Sequence, residues 1–184
     1  MDGLWNGVPN FEGALAREMW IDVEERASIR VIVFEPDEVP EDSDAAVVMV
    51  PGWGSLFEGW RPLVEVWARS RRLIYIETRE KASSRIDRRI SKNDFSIERH
   101  SMDIAAVLDA LDIDQKKIDW YSSSLGSTVL IDAFQRNFLQ GRSSVLLAPN
   151  PDFRFPLWSR IIIYSPLPMV AFRKMVGFVA WVVN

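Results

Sequence analysis

The hydrophobic positions of the chain form short apolar runs separated by longer segments with helical spacing. Ala45–Val50 is a continuous apolar run, which is typical of a strand buried on both faces of a parallel sheet. Ser28–Phe34 is rich in β-branched residues and also predicts a strand. Further strands are predicted at about Glu18–Val23, Arg72–Glu77, Lys117–Tyr121 and Ser143–Ala148.

Three segments with apolar residues at helical spacing lie between these strands. They are Trp60–Ser70, Ile97–Leu111 and Leu125–Asn137. Either Asp94 or Ser96 is expected to cap the second helix. From residue 45 onward, strands and helices therefore alternate, which predicts an α/β fold with a mostly parallel sheet and helices on both faces. Ligands of such sheets bind at the carboxyl ends of the strands.

Composition narrows the function classes. The 184 residues suffice for one domain with a real core, and 48% hydrophobic and 26% charged residues are globular values. A net charge of -4 argues against a general nucleic-acid binder. The absence of cysteine excludes disulfides, thiolate catalysis and cysteine-based zinc sites. The first twenty residues show no signal-peptide pattern, so we expect a cytoplasmic location.

A serine-rich turn joins the strand ending near Tyr121 to the helix that follows it. Ser122, Ser124 and Gly126 match the pattern small-x-Ser-x-small. A sharp strand-to-helix bend would lift the Ser124 side chain above the sheet in a strained conformation, and crowding would admit only small residues two positions before and after it. The pentapeptide alone is equally compatible with an ordinary helix cap.

A second motif, Pro51-Gly52-Trp53-Gly54, follows the Ala45–Val50 strand. Its glycines would let the backbone turn so that an N–H points at a substrate. Taken alone, it is also the glycine-rich turn that any doubly wound sheet needs. The two motifs in this order, on the expected strands and with one strand–helix–strand–helix unit between them, are much more specific.

From about Trp20 to Pro151 the chain resembles the α/β-hydrolase superfamily. The resemblance rests on the stretches VVMVPGWGS, FEGWRPLVEVW, YIETRE, DIAAVLDALDI and YSSSLGST. Ser122 replaces the usual first glycine of G-x-S-x-G, and Pro51 replaces a histidine that many members carry in the glycine-rich loop. A dinucleotide-binding protein or a P-loop nucleotide-binding protein is disfavoured, because the sequence contains neither G-x-G-x-x-G nor G-x-x-x-x-G-K-[ST].

The resemblance implies an acyl-transfer site. Ser124 would be the nucleophile, and the backbone N–H groups of Trp53 and Leu125 would form the oxyanion hole. Members that open epoxides or carbon–halogen bonds generally carry Asp at this bend, so serine favours an ester or related acyl substrate, and the aromatic content suggests an apolar one. No metal or organic cofactor is implied.

A serine nucleophile needs a general base, normally a histidine oriented by a carboxylate. In this superfamily both follow the serine in the chain, yet the sequence has no histidine after Ser124. His100 precedes it and could be a relocated base, although a packing or surface residue is our main interpretation. Asp152 could be the acid, although a polar role in its Pro-rich turn is the simpler interpretation.

The C-terminal end of the sequence is shorter than the resemblance requires. We therefore expect residues 1–153 to be the N-terminal portion of the core, and residues 154–184 to be an apolar, partial helical cap. The chain would then be C-terminally incomplete relative to the family, with its base and acid supplied by other sequence. An exposed sheet edge and an apolar tail would favour self-association.

Two alternatives to a hydrolase remain open. The chain could be a non-catalytic relative that binds a partner, or a protein that lies at a membrane surface through its apolar tail. The basic stretch Arg79–Arg99, with seven Lys/Arg against four Asp/Glu, could border an anionic substrate, but a solvated surface loop is the expected role.

Overall fold

The computed structural model describes residues 11–38 and 45–150. Seven strands and three α-helices lie in these ranges: β1 Ala14–Glu24, β2 Ala27–Pro36, β3 Ala46–Val50, α1 Phe57–Ala68, β4 Leu73–Ile76, β5 Arg85–Ile86, α2 Ile97–Ala110, β6 Ile118–Ser123, α3 Leu125–Gln135 and β7 Ser143–Leu147. Two short 3₁₀ helices, Lys92–Phe95 and Gln115–Lys117, precede α2 and β6 respectively.

The strands form one sheet in the order β1-β2-β4-β3-β6-β7, with β5 paired to β2. Strands β4, β3, β6 and β7 are parallel, whereas β2 is antiparallel to β1, β4 and β5. Within the described residues, β2 is thus the one strand that runs against the others. The sheet is mostly parallel in direction, as predicted, and the parallel part brings the carboxyl ends of β3 and β6 side by side.

Helices cover both faces of the sheet. Alternate residues of each strand point to opposite faces, so a single strand packs against helices on both sides. Val47 and Met49 of β3 pack with the buried residues of α1. Val48 and Val50 pack in the other cluster with the apolar residues of α2 and α3. Continuous burial of β3 follows from this arrangement, and it explains why its sequence is apolar without alternation.

The predicted elements are present with shifted ends. Strand β1 begins at Ala14, and α1 begins at Phe57 rather than Trp60. The two-residue strand β5 was not predicted, because its pairing with Ala27 and Ser28 leaves no periodic pattern in so short a segment. Ser96, not Asp94, caps α2, with its side chain accepting a hydrogen bond from the Arg99 N–H. The predicted cap at residues 154–184 lies outside the described residues.

Candidate active site

The bend between β6 and α3 has the strained backbone that the sequence predicts. Ser124 has φ 46° and ψ -113°, a combination that side-chain-bearing residues rarely adopt. Its N–H donates to the Leu147 carbonyl at the end of β7, 2.8 Å away, so the bend is anchored to the neighbouring strand. The side chain is half-buried. The structure therefore presents the Ser124 hydroxyl where a strand ends and a helix begins, at the carboxyl edge of the sheet.

Gly126 fits the bend because there is no room for a side chain. A Cβ atom added there would lie 2.2 Å from the Val50 carbonyl oxygen. The first turn of α3 is thus pressed against the end of β3. Gly52 approaches the bend from the other loop, where an added Cβ would lie 2.9 Å from the Cβ of Ser124. The two motifs recognised in the sequence are therefore in direct contact.

The serines around Ser124 have structural partners that the sequence analysis did not assign. The Ser123 hydroxyl accepts the Gly52 N–H at 3.1 Å. Ser122 and Ser127 are buried, their hydroxyls lie 2.9 Å apart, and Ser127 donates to the Leu147 carbonyl. A hydroxyl at position 122 thus finds a polar partner, which explains why serine is accommodated where glycine is usual.

The glycine-rich loop runs beside this bend. Pro51 and Gly52 are buried, Gly54 has φ 70° in the left-handed region, and the Trp53 side chain is exposed. Because Gly52 contacts Ser124, the peptide that joins Gly52 to Trp53 lies close to the serine in space. Leu125 is the first residue of α3, where the backbone N–H groups are not used within the helix. Both residues predicted as oxyanion donors therefore adjoin the bend through their chain neighbours.

Lys81 is a part of this site that the sequence analysis missed. Its side chain is 5% exposed, and its ammonium donates to the Gly52 carbonyl oxygen at 2.6 Å. Glu80 lies 3.5 Å away as a counter-charge. Burial lowers the pKa of Lys81, and the charge of Glu80 partly opposes that effect. Lys81 lies in a polar, basic stretch of the sequence, and nothing in that composition indicates that its side chain is buried. The composition therefore predicted a surface position for it.

The prediction that Arg79–Arg99 is a solvated loop is wrong for its first residues. Arg79 is fully buried and forms a bidentate pair with Asp103 of α2, at 2.7 and 2.6 Å. It also contacts Glu24 and Asp94. A buried guanidinium needs carboxylate partners, and here they come from three separate segments. The start of this stretch therefore connects β1, α2 and the 3₁₀ helix through buried ion pairs and is not simply a solvent-exposed loop.

His100 is buried in α2 beside Glu80. It is 2% exposed within α2, its Nε2 lies 3.8 Å from Glu80, and burial lowers its pKa. No hydrogen bond between described residues joins His100 to Ser124. This agrees with the packing interpretation of His100. Asp152 lies outside the described residues, so its suggested role as the acid stays a prediction.

In residues 11–38 and 45–150, no group of three or more His, Asp or Glu side chains is placed to hold a metal ion. The same ranges contain no helix that is long and apolar enough to cross a membrane.

Comparison with known proteins establishes the fold class. No family model matches the sequence, and no curated protein matches it. Solved structures do match. An α/β-hydrolase fold protein from Burkholderia ambifaria superposes with a TM-score of 0.65 at 16% identity, over 89% of this chain and 60% of that one. An α/β hydrolase from Novosphingobium aromaticivorans gives 0.63 at 17% identity, over 84% of this chain and 51% of that one.

An epoxide hydrolase from Vigna radiata matches with a TM-score of 0.57 at 20% identity, over 85% of this chain and 48% of that one. The chain thus spans about half the length of these structures. At such identities the likeness defines the fold, and the chain has the α/β-hydrolase fold. The α/β-hydrolase fold expected from the two motifs is therefore confirmed.

Proposed function

We propose that the protein is a serine hydrolase that cleaves an ester or a related acyl bond, with Ser124 as the nucleophile. The observation that carries the proposal is the strained backbone of Ser124 (φ 46°, ψ -113°) at the carboxyl end of β6. Strain of this kind persists only where surrounding contacts impose it, and it is characteristic of functional positions. Here Gly52, Gly126 and the Leu147 carbonyl impose it.

In the proposed reaction the Ser124 Oγ attacks the carbonyl carbon of the substrate. The developing oxyanion is held by the N–H groups of Trp53 and Leu125, and the N-terminal dipole of α3 favours the same negative charge. The hydroxyl proton passes to a general base supplied from outside the described residues. An apolar small-molecule substrate is proposed, with no cofactor.

The serine itself favours acyl chemistry over the reactions of two structural neighbours. These two neighbours are an epoxide hydrolase and a haloalkane dehalogenase. A hydroxyl nucleophile forms an ester with an acyl substrate, which water then cleaves, whereas opening an epoxide or displacing a halide would give a stable ether. Esterase activity is therefore the form of hydrolysis that Ser124 supports.

The test uses a fluorophosphonate probe on the full-length protein. We expect the wild type to be labelled and Ser124→Ala to be unlabelled. Ser144→Ala is the matched control, because Ser144 is an exposed serine on β7, and it should label as the wild type does. A panel of nitrophenyl esters of increasing acyl length, with styrene oxide as the comparison, then defines the substrate.

A wild type that is folded but unlabelled would contradict the proposal. That result would favour the non-catalytic alternative, for which the absence of a histidine after Ser124 in these 184 residues is the supporting observation. Labelling that survives Ser124→Ala would also contradict it, because the reactive group would then lie elsewhere.

A further inference from the structure

The peptide group between Gly52 and Trp53 is held from several sides. Its carbonyl oxygen accepts the Lys81 ammonium at 2.6 Å and the Ser55 N–H at 3.2 Å. On the preceding peptide, the Gly52 N–H donates to the Ser123 hydroxyl. Both lone pairs of the carbonyl oxygen therefore have donors, and rotation of this peptide would break a charge-assisted hydrogen bond inside the protein.

Peptide geometry links this carbonyl to the proposed oxyanion hole. The Gly52 C=O and the Trp53 N–H belong to the same planar trans peptide, so they point in opposite directions. Fixing the carbonyl toward Lys81 fixes the N–H away from it. A cation that draws electron density from the carbonyl also makes the N–H of that peptide a stronger donor.

The cost of burying Lys81 makes this contact notable. An ammonium loses favourable hydration inside a protein, and it is retained only where partners compensate. Lys81 has two such partners, the Gly52 carbonyl and Glu80. The Gly52 carbonyl already accepts the Ser55 N–H, so the lysine is not needed merely to give this oxygen a hydrogen-bond partner.

We propose that Lys81 is a positioning residue of the oxyanion hole, which orients and polarises the Gly52–Trp53 peptide so that the Trp53 N–H faces the developing negative charge. This inference rests on the proposed function of Ser124. Lys81 does not touch the substrate in this role; it acts through the peptide bond that it holds.

The first experiment measures the rate of fluorophosphonate labelling, since the phosphoryl oxygen of the adduct occupies the oxyanion hole. Losing an oxyanion donor typically costs about 10²–10³ in turnover, so we expect Lys81→Met to label at least about tenfold more slowly. Lys81→Arg, which keeps a charged donor, should recover part of the rate. Lys92→Met is the matched control, because Lys92 is exposed in the same basic stretch.

Ester kinetics separate positioning from a general structural effect. The interaction strengthens in the transition state, so Lys81→Met should lower kcat with little change in KM. Equal labelling rates for folded Lys81→Met and Lys92→Met would overturn the inference. If Lys81→Met does not fold, Lys81→Gln, which keeps a neutral donor, replaces it under the same criterion.

A second measurement does not depend on activity. The backbone amide signal of Trp53 in a nitrogen-15 NMR spectrum should move in the Lys81 variant and stay in place in Lys92→Met. A signal unmoved in both would overturn the inference. A wild type that is not labelled would instead refute the proposed function, and the NMR comparison would still show whether Lys81 holds the Gly52–Trp53 peptide.

Discussion

Single residues set the geometry of the Ser124 bend. Gly126 allows the first turn of α3 to meet the Val50 carbonyl, and Gly52 allows the other loop to meet Ser124. The small residues Ser122 and Gly126 predicted a crowded bend, because only small side chains fit beside such a turn. It did not predict the hydroxyl partners of Ser122 and Ser123, since a hydrogen bond between two loops depends on how both of them fold.

Replacing Gly126 with alanine should destabilise the protein. The added Cβ would lie 2.2 Å from the Val50 carbonyl oxygen, and the backbone would have to shift. Overpacking of this kind costs about 1–3 kcal/mol in free energy of unfolding. Chemical denaturation measures the change.

Gly59→Ala is the matched control for this prediction. Gly59 is exposed in α1, and an added Cβ there meets nothing within 4 Å. Because alanine favours the helix, this variant should gain about 0.5–1 kcal/mol. Similar effects of the two substitutions would mean that the close contact at Gly126 is not present in the folded protein.

At the scale of elements, a buried charge cluster joins segments that are distant in the sequence. Arg79 follows β4, Glu24 ends β1, Asp94 lies in the 3₁₀ helix Lys92–Phe95, and Asp103 lies in α2. Arg88 and a backbone N–H hold the pKa of Asp94 below its usual value, so this carboxylate stays ionised. The cluster therefore fixes the path of the chain between β4 and α2, and Lys81 lies on that path.

Arg79→Met should be strongly destabilising. Removing one partner of a buried ion pair leaves the remaining carboxylates uncompensated, which typically costs about 3–5 kcal/mol. Arg61→Met is the control, because Arg61 pairs with Glu65 on the exposed side of α1 and such pairs contribute about 1 kcal/mol or less. Urea denaturation of both variants tests the difference, and equal losses would contradict a structural role for the cluster.

At the scale of the whole molecule, β7 is the last strand of the sheet within residues 11–38 and 45–150, and it carries exposed apolar side chains. Val145 and Leu147 are 49% and 41% exposed, and they share one face of the strand because they are two residues apart. On the other face, Leu146 packs against the core that includes α2 and α3. An edge strand with an exposed apolar face is a surface on which association occurs.

We predict that the 184-residue chain self-associates through this face and that Val145→Lys reduces the association. A charge on the exposed face of the edge strand opposes pairing with another copy. Light scattering with size-exclusion chromatography, over a range of concentrations, measures the effect. Val66→Lys is the control, because Val66 is 63% exposed and lies on α1 and not on the edge strand. If both variants lower the mass equally, or neither does, the β7 face is not the site of association.

The sequence by itself determined the class of fold and the position of the bend. Burial on both faces makes β3 continuously apolar, and helical spacing marks α2 and α3, so these elements are visible in the pattern of residues. The small residues around Ser124 are visible for the same reason, because steric limits act on the side chains themselves.

Only the tertiary structure decided which charged residues are buried and what they hold. Arg79 and Lys81 belong to a basic stretch whose composition predicts a surface, yet one is enclosed by carboxylates and the other meets the Gly52 carbonyl. Burial of a charge depends on partners supplied by distant segments, and local sequence does not encode that proximity. The link from Lys81 to the Ser124 bend thus exists only once the chain has folded.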